Sequence, residues 1–334
     1  MTAKRLSLLG CILLLALALF GCTSANQTST EQANNFAEEN NPFATDEDGF
    51  VTETSVSYGP LVRSLSFDGS TVNVVYEFDN FGPPFEFGLL VFIDGVLQPY
   101  HSDQNEQAMN FQTFNLEKDE HAEIQLNFDP VVGAKGQTLS LRTMFVVRPH
   151  WQPDLTKPII FGHTLECGGE NYIPIEFLAD SGMLKPNSGR NTVAVDSCVR
   201  IEDISEEMKD FYEENGLDFD EPRLTLEGLP TTAQSAVVGN SCQLTIAGVG
   251  GLEHNYRLYF FCDLEPHVFE NGLPYVDFPI VDGKATYVDV DLTLSSENGR
   301  NTAAVFGLAV PTVDEPDSYA IRNLQTDRFL FIVE

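Results

Sequence analysis

Six histidines, six cysteines and fifty carboxylates are the residues of this 334-residue chain that could do chemistry, and their spacing assembles little of it. His101, His121, His150, His163, His254 and His267 stand singly. No two are two or four residues apart, the spacings at which a strand or a helix aims two imidazoles at one metal ion. The cysteines form no CxC or CxxC pair, so zinc is not expected and no metal-ligand set is assigned. Asp46-Glu47-Asp48-Gly49 resembles the start of a calcium loop, but the glycine comes two positions early and no glutamate closes it. Glu202, Glu206, Glu207, Asp210, Glu213 and Glu214 fall along one expected helix and read as its solvated face. No nucleophile elbow, phosphate loop or dinucleotide fingerprint occurs, so no catalytic residue and no cofactor is assigned. A hydrolase whose residues converge only on folding stays as an alternative.

One surface could bind rather than react. Trp151, with Tyr100 and Pro99 near the end of a strand-rich unit, offers an aromatic platform of the kind that holds sugar rings. The competing reading puts Trp151 in a domain junction.

The elements that position these residues are strands. "STVNVVYEFD" and "HAEIQLNFDP" alternate apolar and polar; "FEFGLLVFIDGVLQPY" is an apolar run broken by an Asp-Gly turn; "TLSLRTMFVVRP" completes a set. Short runs separated by Gly, Pro and Asp turns predict an antiparallel all-β domain, and two apolar faces packed together predict a sandwich. Strand-like runs resume at "NYIPIEFL", "RLTLEGL", "CQLTIAG", "YRLYFFCD", "ATYVDVDLTL", "NTAAVFGLAV" and "RFLFIV". One helix interrupts them. Asp203 and Glu206 suit a capping box, Ile204, Met208, Phe211 and Tyr212 form an apolar stripe, and Gly216 ends it.

The chain repeats itself. Phe114–Pro149 and Phe278–Pro311 share an opening Phe, an acidic turn, an alternating strand, a Gly-containing turn and a strand closed by proline. Upstream, "LLVFIDGVLQP" parallels "RLYFFCDLEP", and "SGRNTVAV" from Ser188 parallels "NGRNTAAV" from Asn298. The pattern predicts duplication of one sandwich unit, which suits a scaffold better than a catalyst. Cys242 and Cys262 flank one hairpin loop and Cys167 and Cys198 bracket the preceding segment, so two bridges, Cys242–Cys262 and Cys167–Cys198, are the favoured pairing. Free buried thiols are the alternative.

A net charge of −32 argues against nucleic acid as a partner, because phosphate binding needs a basic footprint. It suits an exported protein kept soluble by its own repulsion.

The N-terminus says where. Lys4 and Arg5 precede the apolar stretch Leu6–Gly21, which as a helix reaches only about 24 Å, short of the ~30 Å hydrocarbon core. Leu19-Phe20-Gly21-Cys22 resembles the lipobox of bacterial lipoprotein signals, with Phe20 where a small residue is usual. The resemblance implies that Cys22 becomes the mature N-terminus and carries a thioether-linked diacylglycerol (a palmitate-bearing anchor) at the extracellular face of the cell membrane. Residues 22–54, polar and aperiodic, read as a disordered tether. The body, with its "FIDGVLQPY" turn, resembles immunoglobulin-like β-sandwich modules of exported Gram-positive proteins.

The organisation expected is a signal peptide at 1–21, a tether at 22–54, one sandwich at 55–152, and a second at 153–334 with a leading hairpin and a short helix. The function expected is a non-catalytic, lipid-anchored surface scaffold for protein interaction or adhesion, its partners the membrane and an envelope protein or glycan. A carbohydrate- or peptide-binding lipoprotein is the second reading.

Overall fold

The computed structural model describes residues 56–150, 167–181, 197–214, 216–227, 235–238, 241–251, 253–294, 302–312, 323–326 and 328–333. They form two tandem immunoglobulin-like β-sandwiches with one short helix in the second half.

The first sandwich holds β1 (Val56–Pro60), β2 (Leu65–Phe67), β3 (Val72–Asn80), β4 (Phe85–Ile93), β5 (Val96–Leu97), β6 (Tyr100–Ser102), β7 (Asn105–Met109), β8 (Phe111–Leu116), β9 (His121–Phe128), β10 (Thr138–Val147) and β11 (Cys167–Phe177). One sheet runs β1-β3-β9-β6-β7; the other runs β2-β11-β10-β4-β5, with β8 also on β4. In β3 strict alternation buries Val72, Val74, Tyr76 and Phe78 and turns Asn73, Val75, Glu77 and Asp79 outward. Tyr76 and Phe78 meet Phe87, Phe114, Phe145 and Ile173 between the sheets. Asp94 and Gly95 both take left-handed backbone angles (φ 50° and 71°), the two-residue hairpin that the Asp-Gly pair predicts.

The second sandwich holds β12 (Val199–Asp203), α1 (Glu206–Glu214), β13 (Arg223–Glu227), β14 (Ser235–Val238), β15 (Ser241–Val249), β16 (His254–Cys262), β17 (Glu265–Pro266), β18 (Val276–Ile280), β19 (Lys284–Thr293), β20 (Thr302–Pro311), β21 (Leu324–Gln325) and β22 (Phe329–Val333). Its sheets run β12-β19-β15-β13 and β14-β22-β20-β16-β17, with β18 on β16 and β21 on β20.

The two topologies correspond over most of their strands. β4-β5, β8, β9 and β10 have their counterparts in β16-β17, β18, β19 and β20. These are the segments whose sequences run parallel. Among the described residues pairing is antiparallel except for β2 with β11, and the same parallel contact recurs between β14 and β22. The tight turn recurs too, as Asp263 and Leu264 at φ 48° and 72°.

Two expectations need correction. Cys167–Phe177, assigned to the second domain, pairs with β10 over nearly its whole length, and Ile173, Ile175 and Phe177 lie in the first core. A strand partner is a long-range fact, and the first sandwich takes in β11 as well as the strands before Trp151. The helix is capped by Ser205, whose Oγ accepts from the Met208 amide at 3.1 Å. Asp203 instead ends β12 and pairs with Lys284.

The two sandwiches share a third apolar cluster. Leu90, Phe92, Leu97, Met144 and Val146 leave the back of the β10-β4-β5 sheet and meet Tyr259, Phe261, Phe306, Leu308 and Val310 from the back of the β20-β16 sheet. Four layers result: an outer sheet, two central sheets back to back, and a second outer sheet. A central strand is then apolar on both faces, which is why "FEFGLLVFI" runs without alternation. Each such side chain, fully buried, contributes about 1.5–3 kcal/mol.

Candidate functional site

The surface picked from the sequence does not form as expected. Tyr100 is fully buried in the first core, its hydroxyl donating to the Leu89 carbonyl at 2.9 Å. It offers no face to a sugar ring. Trp151, Cys22 and the Asp46–Gly49 segment lie outside the described residues.

The favoured Cys242–Cys262 bridge is absent, and both are free thiols. β15 and β16 follow one another in sequence but belong to opposite sheets, so their cysteines are not cross-strand neighbours. Burial raises the Cys242 thiol, and burial with the nearby Asp263 carboxylate pushes Cys262 up to about 11. The Cys167 side chain is outside the described set, so the second bridge stays an expectation; Cys198 packs against the second core.

The helix carboxylates Glu206, Glu207, Asp210, Glu213 and Glu214 are exposed, as a solvated face should be. Of the histidines, His101 contacts the Glu106 carbonyl and His150 pairs with Glu86 at 2.8 Å. Burial lowers His254 and His267, which stand edge-on to Tyr256 and Phe269. His163 lies outside the described residues.

The arrangement the sequence did not disclose is the seam between sandwiches. The Tyr259 hydroxyl accepts from the Leu97 amide and donates to the Gly95 carbonyl, both at 2.9 Å, so one phenol satisfies two backbone groups of the Asp94-Gly95 turn. Arg257 donates to the Asp94 carbonyl and stacks 5.3 Å from the Tyr275 ring centre. Gly95 lies so close to β20 that an added Cβ would sit 3.3 Å from the Val310 carbonyl oxygen. At the far edge, buried Arg328 donates to the Pro149 carbonyl at 2.5 Å. Arg142, stacked on Tyr172, is lowered by burial to about 10, partly offset by Tyr172 and Tyr256.

The outer faces differ. On the second sandwich α1 covers Ala247, Val249, Ala285 and Tyr287 with Tyr212, Met208 and Ile204. Beside it Arg200 grips Asp289 through two bonds of 3.2 and 3.0 Å, and Thr245 donates to the same carboxylate at 2.8 Å. On the first sandwich Glu77, Asp79 and His121 group on the outer sheet, with one potential ligand atom from each within 4.8 Å of the others. The hydrogen bond that the His121 ring donates to Asp79 raises it above the usual histidine range; burial opposes this, and the charges of Asp79, Glu77 and Glu123 add to the rise.

No family model and no curated protein matches the chain. Among solved structures it is similar to a chain of the Salmonella enterica SafA pilin in complex with the SafB chaperone, at 10% identity over 83% of this chain and 98% of that one, TM-score 0.24. The E. coli chaperone DraB gives 8% identity, 83% and 97% coverage, and a TM-score of 0.24. A chain of the Acinetobacter baumannii CsuC–CsuE chaperone–tip adhesion subunit complex gives 10%, 84%, 99% and 0.20. Scores this low carry no argument about partner or activity.

Proposed function

We propose that this chain is a non-catalytic, lipid-anchored surface protein whose fused sandwiches form a stiff scaffold for protein interaction or adhesion at the bacterial envelope. The observation that carries the reading is the four-layer body. Duplication here builds a seam, not a second site: the repeated strands β4, β10, β16 and β20 are spent on joining the copies. That leaves outer faces and loop ends as the working surface, at the end of a polar segment that follows Cys22. Burial of Tyr100 removes half of the aromatic platform on which the glycan-binding alternative rests.

Membrane fractionation of cells expressing the native chain and Cys22→Ser tests the anchor. The native chain should partition with membranes and incorporate labelled palmitate, and the variant should do neither. Equal partitioning of the two would refute it. Chemical cross-linking on intact cells tests the scaffold. One envelope protein recovered at near-stoichiometric yield is the expected result, and recovery of none overturns a role in protein interaction.

A further inference from the structure

On the outer face of the first sandwich, β3 and β9 run side by side with Asp79 opposite His121 and Glu77 opposite Glu123. Alternation sends all four side chains to the same face, in a two-by-two grid. His121 Nδ1 lies 2.9 Å from Asp79 Oδ1, and Nε2 lies 3.6 Å from Glu77 Oε1. One imidazole nitrogen and one oxygen from each carboxylate fall within 4.8 Å of one another. Bonds of about 2.0–2.2 Å to a shared ion need donors roughly 3–4 Å apart, so side-chain rotation alone closes the set. On the third strand the neighbours are Ser57 beside Asp79 and Gly59 beside Glu77, small residues that leave the grid open and add no titratable group.

The second copy supplies an independent comparison. The left-handed residues Asp119 and Gly283 open β9 and β19 at φ 58° and 67° and fix which positions correspond. Asp79 and His121 then match Val249 and Ala285, and Glu77 and Glu123 match Ala247 and Tyr287, which pair in the same register. In the second sandwich these four positions are apolar and lie beneath α1. The scaffold therefore needs no polar group there. The first copy leaves the same positions uncovered and fills them with three carboxylates and an imidazole.

We infer that Glu77, Asp79 and His121, with Glu123 beside them, form a binding site for a borderline first-row divalent cation, for which Zn(II) is the probe. The imidazole nitrogen favours such an ion over calcium or magnesium, and two carboxylates match its charge. Three protein donors leave a position for water. The sequence alone assigned no metal, since the set exists only in the β3–β9 register.

Calorimetric titration of the full chain, stripped of metal, with Zn(II) at pH 7.5 in excess calcium tests this. Calcium saturates diffuse binding to the acidic surface. One Zn(II) per chain is expected, weakened about tenfold or more in His121→Ala and in Glu77→Gln. His150→Ala, at a separate histidine–carboxylate pair, should bind as the native chain does. Because His121 and Glu77 are exposed, metal-free thermal unfolding of both variants should match the native chain, which separates lost binding from lost folding. Zn(II) should also shift the His121 ring resonances before those of any other histidine. An isotherm unchanged in both variants, or heat that calcium abolishes, would overturn the proposal and leave the cluster as a histidine paired with two carboxylates.

Discussion

Replacing Tyr259 by phenylalanine removes one oxygen from the seam and should be felt by both sandwiches. The hydroxyl is buried and makes two bonds of 2.9 Å, to the Leu97 amide and the Gly95 carbonyl. Phenylalanine keeps the ring against Phe92, 5.4 Å away, so little packing is lost. Two buried backbone groups then lack a partner, and at about 1–3 kcal/mol each the loss is about 2–6 kcal/mol. For a body of this size, at about 2 °C per kcal/mol, that is a fall in Tm of about 4–12 °C. Differential scanning calorimetry of the native chain and Tyr259→Phe decides. A fall in Tm of less than about 2 °C, which corresponds to about 1 kcal/mol, would show that the phenol does not hold the turn, and the reasoning would fail.

Alkylation in denaturant without reductant, followed by peptide mass spectrometry, should label both Cys242 and Cys262; a peptide pair linked through them would contradict the free-thiol state. Gly248→Ala would place a Cβ 2.4 Å from the Phe278 ring in the second core, so it should destabilise by about 1–3 kcal/mol in urea unfolding, and an unchanged midpoint would mean that the ring has room to move. Burial holds His254 below the ordinary histidine range, opposed by a backbone contact at Thr312 and aided by Arg142, so the unfolded chain takes the proton more readily. Stability should therefore fall as the pH drops through about 6.5, and His254→Gln should flatten that loss. His121, raised by Asp79, works in the opposite sense, so the comparison of the native chain with His254→Gln isolates the effect.

The strands were legible because half-buried strands announce themselves. β3 and β9 alternate cleanly, and the Asp94-Gly95 turn carries its own conformational signature. Duplication was legible for the same reason, since turn and strand order survive where identities do not. What escaped was long-range. Nothing local to Cys167–Phe177 says that β10 is its neighbour. The unbroken apolar run of β4 signalled burial on both faces without naming Tyr259 and Phe261 as the cover. Tyr100 sits among polar residues and looked exposed, but its short strand turns it inward. Glu77 and Asp79 show an i, i+2 pair in "YEFD", yet only the register brings His121 beside them. The cysteines misled because strands adjacent in sequence lie in different sheets.

The central claim is that the seam makes one rigid body of two sandwiches. Backbone ¹⁵N relaxation over amides of both halves tests it most directly. A single rotational correlation time, shared by β3 and β9 in one sandwich and β15 and β19 in the other, is the result expected. Two distinct times, each fitting a sandwich of half the mass, would show that the halves tumble independently and would contradict the account.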